Sequence, residues 1–211
     1  MAYSSIPAFE EQSRFMETLL GEEHNLVSHA LIPFDLGGHL DLYYYPNCGH
    51  GTAVATKELT DWGEKSGPSN NCFKTYELVM FTRHAIAPAK DGPEQPELEK
   101  AHSLINSILN LIARYAPTAT LNPYETLEFP AEIPEVGGTC TVFFAYPDMP
   151  KSPPIEFGLL GIMAIHRDEM NFARKNGSEA LFAMLKEKGH FPYSDLDRPS
   201  VVKSKSWWKF W

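Results

Sequence analysis

Cys48, His50 and Cys72 are a set of side chains that could bind a metal ion or attack a substrate. Thiolates and imidazoles are the usual zinc ligands, and a cysteine next to a histidine base can act as a nucleophile. Structural zinc sites usually combine two closely spaced pairs of ligands, whereas here only Cys48 and His50 form such a pair. The other interpretation is that Cys48 is a small buried residue in a turn flanked by glycines. A metal-binding or thiol-dependent enzyme that uses all three residues is therefore kept as the alternative hypothesis.

The charge balance favours some partners over others. The net charge is −9 at pH 7, and the last nine residues contain Lys203, Lys205 and Lys209 without any acid, so residues 1–202 carry −12. An acidic surface repels phosphate backbones, which disfavours nucleic-acid binding, whereas a basic protein would be attracted to it. Acidic surfaces also keep proteins soluble without any partner, and that interpretation stays open.

Composition predicts a cytoplasmic globular domain. Hydrophobic residues make up 43% of the chain and charged residues 21%, which are ordinary values for a folded protein. The longest apolar run, Phe157 to Ile165, is far shorter than the roughly 18 residues of a membrane span, so membrane association is disfavoured. The first residues lack the basic and apolar segments of a secretory signal. The three cysteines are an odd number at irregular spacing, which suits reduced thiols.

Helical periodicity predicts two long helices and two short ones. The first long helix lies between a possible cap at Ser5 and a stop at Gly21, and the second extends over residues 98–115. Two short helices follow residue 166 and are separated by Gly177, with Ser178 as the predicted cap of the second. Apolar residues that recur at helical spacing in the second long helix are Leu98, Ala101, Leu104, Ile105, Ile108, Leu109, Ile112 and Tyr115.

Several segments have the residue patterns of strands, in which apolar and polar residues alternate or apolar residues are continuous. Two strands are predicted around Gly37 and Gly38, because Leu40, Leu42 and Tyr44 alternate with polar neighbours. Further strands are predicted over residues 51–59, 73–83, 138–147 and 155–166. These patterns together indicate a mixed α and β domain.

The last quarter of the chain carries a recognisable order of segments. From Phe157 to Val202 an apolar strand leads into a short acidic helix, a second helix built around EALFAMLKEKG, and a closing Asp195-x-x-Arg198-Pro-Ser-Val. Earlier, the segments HLDLYYYPN, GTAVATKEL and FKTYELVMFTRHA follow one another. This ordered set, which covers most of residues 26–202, resembles the suppressor of fused domain family. Where that family often has Gly-Met-Ser, this chain has Lys57-Glu58-Leu59.

The resemblance implies both a fold and a function. It implies an α+β domain over residues 1–202, with a central mixed, largely antiparallel β-sheet covered by helices. It implies no catalytic activity and no cofactor. Animal members bind transcription factors in Hedgehog signalling, partly by pairing an extended peptide with sheet edges. Stand-alone bacterial members resemble accessory or immunity proteins that neutralise toxins, and an acidic body suits inhibition of a basic toxin.

Two features of the C-terminal end carry further expectations. Arg198 should be held by a carboxylate or by backbone carbonyls, so that it anchors the end of the domain. The tail of residues 203–211 contains Trp207, Trp208, Phe210 and Trp211, and such side chains are rarely left in water. The tail is expected to dock on its own domain or on a second subunit of a homodimer. Alternatively, Trp207, Trp208 and Trp211 are a partner-binding hot spot, with the lysines attracted to an acidic or lipid surface.

Overall fold

The structure is a computed structural model that describes residues 6–32, 34–49, 51–60, 67–85, 96–147 and 154–202. Within these ranges the chain forms seven strands, four α-helices and one 3-10 helix, the last over Phe34–Leu36. None of the described helices is long and apolar enough to cross a bilayer. The strands are β1 (Val27–Ser28), β2 (Leu42–Cys48), β3 (Gly51–Ala55), β4 (Phe73–Thr82), β5 (Thr126–Glu128), β6 (Cys140–Tyr146) and β7 (Ile155–Ile165). The helices are α1 (Ile6–Leu20), α2 (Pro96–Tyr115), α3 (Arg167–Asn176) and α4 (Ser178–Glu187).

The strands form one sheet in the order β1-β2-β3-β4-β7-β6-β5. Every neighbouring pair is antiparallel except β4 and β7, which run parallel at the centre of the sheet. The two edges are therefore β1 and β5. The expectation of a mixed, largely antiparallel sheet in an α+β domain is confirmed.

The central strands are buried on both faces, which explains their continuous apolar sequences. In β4, Leu78 and Met80 belong to the core cluster beneath α2, whereas Val79 and Phe81 belong to the cluster on the opposite face. Side chains of a strand alternate between faces, so a strand covered on both sides needs apolar residues at successive positions. Helices cover both faces: α2 lies on one, and α1, α3 and α4 lie on the other.

Helix α2 has the face that its periodicity predicts. Ile105 and Ile108 are fully buried in the core, which confirms both positions. Asn110 accepts the backbone N–H of Leu40 at 2.8 Å, so the helix is also joined to the chain that enters β2. Tyr115 was expected on the same apolar face, but it is about half exposed because the helix ends there.

The region before β2 differs from its prediction. The first of the two strands expected around Gly37 and Gly38 is only the two-residue β1, and a 3-10 helix precedes the glycines. The arginine Arg114 of α2 donates hydrogen bonds to the carbonyls of both glycines, at 3.2 and 2.9 Å. The predicted alternation is confirmed in and before β2, where Leu40, Leu42 and Tyr44 are buried.

Three further predictions are corrected and one is confirmed. The strand predicted over residues 51–59 ends at Ala55, and β5 was not predicted. The stop at Gly21 is confirmed, since its N–H donates to the carbonyl of Glu17 at 3.0 Å. Ser178 does not cap α4 with its side chain, because its hydroxyl donates instead to the carbonyl of Tyr124 at 2.6 Å.

Replacing a core residue of α2 tests this packing. Ile108→Ala should lower the free energy of unfolding by about 2 to 5 kcal/mol, since the rigid sheet beneath cannot close the cavity. Leu31→Ala, at a fully exposed position, is the control and should change it by less than about 0.5 kcal/mol. Urea denaturation measures the free energy of unfolding of both variants. Equal decreases in that free energy would contradict the assigned helix face.

Candidate protein-binding surface

The cysteines of the alternative enzyme hypothesis lie on opposite faces of the sheet. Cys48, at the end of β2, is buried in the cluster beneath α1, α3 and α4, with its Sγ 3.7 Å from the hydroxyl of Tyr146. Cys72 is buried in the cluster beneath α2. Burial raises the pKa of both thiols, which disfavours the thiolate needed by a nucleophile or metal ligand. His50 lies outside the described residues, and the residues that are described contain no group of three potential metal-binding side chains. The geometry therefore does not join Cys48 and Cys72 in one site.

Arg198 is held by a carboxylate, which confirms its expected role. Its guanidinium donates to both oxygens of Glu169 in α3, at 2.6 and 2.8 Å, and both side chains are almost fully buried. Glu169 also accepts the backbone N–H groups of His166 and Val201, each at 2.9 Å. Burial alone would raise the pKa of Glu169, but these hydrogen bonds and the guanidinium lower it below its ordinary value. The end of the domain is thus fixed to the first turn of α3.

The other end of the closing motif is held by β4. Asp195 accepts the hydroxyl of Thr82 at 2.5 Å and the backbone N–H of Arg83 at 2.9 Å. The motif therefore spans from the end of β4 to the start of α3. Asp195 and Arg198 are structural anchors, not exposed binding residues.

A second buried carboxylate, Glu77, joins β4 to α1. It lies on the α1 face of β4 and accepts hydrogen bonds from Gln12 of α1 at 3.0 Å and from the hydroxyl of Thr56 at 2.5 Å. The backbone N–H groups of Leu59 and Thr60 also donate to it, at 3.2 and 2.9 Å. Burial raises its pKa, and these donors oppose that shift. A buried carboxyl with a shifted pKa can mark an active site, but Glu77 is fully enclosed, so its role is structural.

Glu77 was not among the residues predicted to be functional. The signal was present as a charged residue within the apolar strand YELVMF, where it must face a polar partner. Its partners come from α1 and from the segment after β3, so a sequence could not identify them. Where β3 ends, the N–H of Leu78 in β4 donates to the hydroxyl of Thr56 at 2.9 Å.

The family departure at Lys57-Glu58-Leu59 also has a structural role. The side chain of Lys57 is only 5% exposed and forms an ion pair with Glu23, just beyond α1. It also donates to the hydroxyl of Ser13 at 3.2 Å and lies 4.5 Å from the ring centre of Tyr43. Lys57 therefore binds α1 to the sheet.

Edge strand β5 presents backbone groups that are available to a partner. The carbonyl of Glu125 accepts an N–H from β6 at 3.0 Å, and the N–H of Phe129 donates at 3.0 Å to the segment before β6. The backbone N–H and carbonyl groups of successive strand residues point alternately to either side. Those of Leu127 therefore point towards β6, whereas those of Thr126 and Glu128 point away from the sheet. No backbone group within the described ranges pairs with these outward groups.

A groove lies beside this edge, between β5 and the junction of α3 with α4. It has a volume of about 570 Å³ and is lined in part by Tyr124, Ala173, Gly177 and Glu179. Arg174 also lines it and donates to the hydroxyl of Thr126 at 3.1 Å. Tyr124 has a φ of 73°, a conformation that is uncommon for residues other than glycine and is often found at functional sites.

The opposite edge is different in character. Strand β1 has two residues, and the carbonyl of Tyr44 in β2 is already occupied by the N–H of His24 at 2.8 Å. Large apolar side chains are exposed in and around the segment that joins β1 to β2. They are Leu26, Leu31, Ile32 and Leu36.

The aromatic residues selected from the sequence belong to the C-terminal tail. Trp207, Trp208, Phe210 and Trp211 lie outside the described residues. The last described residue is Val202, close to the first turn of α3.

The fold defines a class of protein, a single α+β domain with a seven-stranded mixed sheet and an open edge at β5. The profile of the suppressor of fused protein family matches residues 50–199, so this chain belongs to that family. No curated protein sequence matches the chain. The suppressor of fused fold is a protein-interaction fold, and the expected family membership is confirmed.

Solved structures agree on the fold. A crystal structure of a Sufu–Fu complex has a TM-score of 0.57 and 14% identity, covering 93% of this chain and 92% of that one. A suppressor of fused homologue from Neisseria gonorrhoeae has a TM-score of 0.55 and 12% identity, covering 94% and 99%. Drosophila Suppressor of Fused has a TM-score of 0.53 and 14% identity, and the match covers 93% of this chain and 50% of that chain.

The Glu169 anchor should be sensitive to acid. Because its folded-state pKa is lowered, it stabilises the protein fully above its unfolded pKa of about 4.3, and the stabilisation is lost as the pH falls through the folded value. Glu169→Gln should cost about 3 to 5 kcal/mol near pH 7 and progressively less below about pH 4, measured by urea denaturation. Glu156→Gln, at an exposed position, is the control. A cost that does not depend on pH would contradict the ion pair.

The Lys57 contact should matter more than an exposed ion pair. Lys57→Met keeps the apolar stem but leaves Glu23 without its cation, and should cost about 1 to 3 kcal/mol. Lys74→Met, which removes the exposed pair with Glu156, should cost less than about 1 kcal/mol. A double-mutant cycle with Glu23→Gln would contradict the contact if the coupling free energy were zero.

Proposed function

We propose that this chain is a non-enzymatic protein-binding domain that captures an extended segment of its partner along β5. The observation that carries the proposal is the outward-pointing backbone of Thr126 and Glu128 beside an open groove. A peptide that pairs with such an edge gains main-chain hydrogen bonds, and neighbouring pockets then select its side chains. Membership of a protein-binding family supports this interpretation.

Strand β5 is better suited to this role than β1. Sheet edges that must not pair are usually short or interrupted by proline and bulges. Strand β1 has two residues and β5 has three, so length does not separate them, but β2, next to β1, contains Pro46 and an irregular register between Tyr45 and Cys48. The uncommon backbone of Tyr124 lies at the β5 edge, where a stored local strain is consistent with a binding site.

The charge of the chain supports a basic partner. Residues 1–202 carry −12, and Glu125 and Glu179 are exposed beside the β5 edge. We infer that the chain is a bacterial immunity protein that neutralises a basic toxin domain in the cytoplasm. The buried free thiols Cys48, Cys72 and Cys140 support a reducing compartment.

Identification of the neighbouring reading frames is the first test of immunity. A toxin domain encoded there should arrest growth when expressed alone, and co-expression of this chain should restore growth. The two purified proteins should also form a complex whose affinity falls with added salt, because the attraction is electrostatic. Growth arrest that this chain does not relieve would overturn the immunity role.

A proline in the edge tests the binding mode. Glu128→Pro removes an N–H that points outward, so it should preserve the pairing of β5 with β6 and weaken binding of the purified toxin domain. The loss of one hydrogen bond predicts a decrease of about threefold to tenfold relative to Glu128→Ala. The alanine variant is the matched control, because both variants lose the ion pair with Arg167. Equal affinities of the two variants, measured by calorimetry, would exclude pairing at this edge.

A further inference from the structure

We propose that residues 203–211 dock on their own domain along the outer edge of β5, in the groove beside α3 and α4. The tail would thereby cover the edge to which the partner binds. The docking itself is independent of the proposed function, whereas the competition with a partner rests on it.

The place where the tail begins supports this docking. The N–H of Val201 donates to Glu169 at 2.9 Å, and the hydroxyl of Ser200 donates to Asp168 at 2.8 Å, so the chain reaches Val202 beside the first turn of α3. The next residue of α3 towards its N-terminus, Arg167, forms an ion pair with Glu128 in β5. The tail therefore starts near the Glu128 end of the open edge.

Direction and reach also favour this surface. A chain that leaves from the Glu128 end and runs towards Tyr124 is antiparallel to β5. The four-residue distance between those positions is about 14 Å, and nine extended residues span about 30 Å. The exposed apolar patch near β1 is six strand spacings away, about 29 Å, and lies on the α2 side, where Arg114 binds Gly37. The β5 edge is therefore the nearer of the two surfaces to the start of the tail.

The chemistry of the tail matches that of the groove. In an extended chain, Lys203, Lys205, Trp207, Lys209 and Trp211 lie on one side, and Ser204, Ser206, Trp208 and Phe210 on the other.

The groove is lined by Tyr124 and the buried Ala173, and Glu125 and Glu179 are exposed beside it. Both carboxylate oxygens of Glu125 also accept hydrogen bonds from Asn122, each at 3.0 Å. Arg174, which also lines the groove, has a planar guanidinium that can stack on an indole ring. Aromatic side chains each bury about 150 to 250 Å², so even two of them add substantial apolar contact.

The test uses the full-length chain in a Trp62→Phe background, so that all remaining tryptophans are in the tail. Docking predicts tryptophan emission at shorter wavelength than in the free peptide of residues 203–211. It also predicts that deletion of residues 203–211 accelerates amide exchange at Thr126 and Glu128 by roughly tenfold or more while β7 amides are unchanged. Two results would overturn the proposal. One is a tryptophan emission wavelength equal to that of the free peptide, and the other is an amide exchange rate at Thr126 and Glu128 that the deletion does not change.

Charge reversal gives an independent test without truncation. The double variant Glu125→Lys with Glu179→Lys should release the tail and shift its emission to longer wavelength. Glu22→Lys with Glu187→Lys, at exposed positions away from the groove, makes the same change in net charge and should have no effect. Equal shifts from both double variants would contradict docking at this groove.

Two further measurements test whether the tail binds a second copy of the chain or a membrane instead. A mass that doubles in light scattering, with β5 protection that depends on protein concentration, would assign the tail to a second copy and overturn intramolecular docking. Tail-dependent binding to vesicles with anionic lipids, with no β5 protection in their absence, would assign it to a membrane. Docking of the tail without any effect on toxin affinity would leave the docking in place and contradict only the competition.

Discussion

The parallel pairing of β4 with β7 is the constraint on which the rest of the structure depends. Parallel neighbours cannot be joined by a tight turn, so α2, β5 and β6 all lie between them in sequence. Both strands are buried on both faces, which requires helices on each side of the sheet. The remaining strands then add outward from this pair, and the edges fall on β1 and β5.

Buried carboxylates determine how the helices meet this sheet. Glu77 joins α1 to β4, and Glu169 joins α3 to the end of the domain. A buried carboxylate is costly unless each oxygen is hydrogen-bonded, and each of these accepts several donors. Apolar contacts alone would allow α1 and α3 to shift their positions along the sheet. The polar contacts restrict each helix to one position, and through Arg198 they determine where the chain leaves the domain.

The sequence predicted the parts of the fold that depend on local periodicity. Ile105 and Ile108 were placed correctly because a helix repeats its buried face over several turns, and the β6 and β7 strands were visible as long apolar runs. Strand β5 was missed because three residues are too short for a pattern, and its existence depends on pairing with β6. The Arg198 anchor was expected from a family motif, but its partner Glu169 lies 29 residues earlier, in a segment predicted only as a short acidic helix. The edge and groove were not predictable, since tertiary pairing creates both.

An open edge strand creates a conflict that a tethered segment can resolve. The edge must be free to bind a partner, yet unpaired strands also invite association between copies of the chain. A short tether gives an effective concentration of about a millimolar, so an intrinsic dissociation constant near 0.1 mM would keep the edge covered about nine-tenths of the time. The same equilibrium weakens a competing partner only about tenfold, because the partner's apparent affinity falls with the fraction of free edge. A weak tail thus suffices to protect the edge, and a tight-binding partner still displaces it.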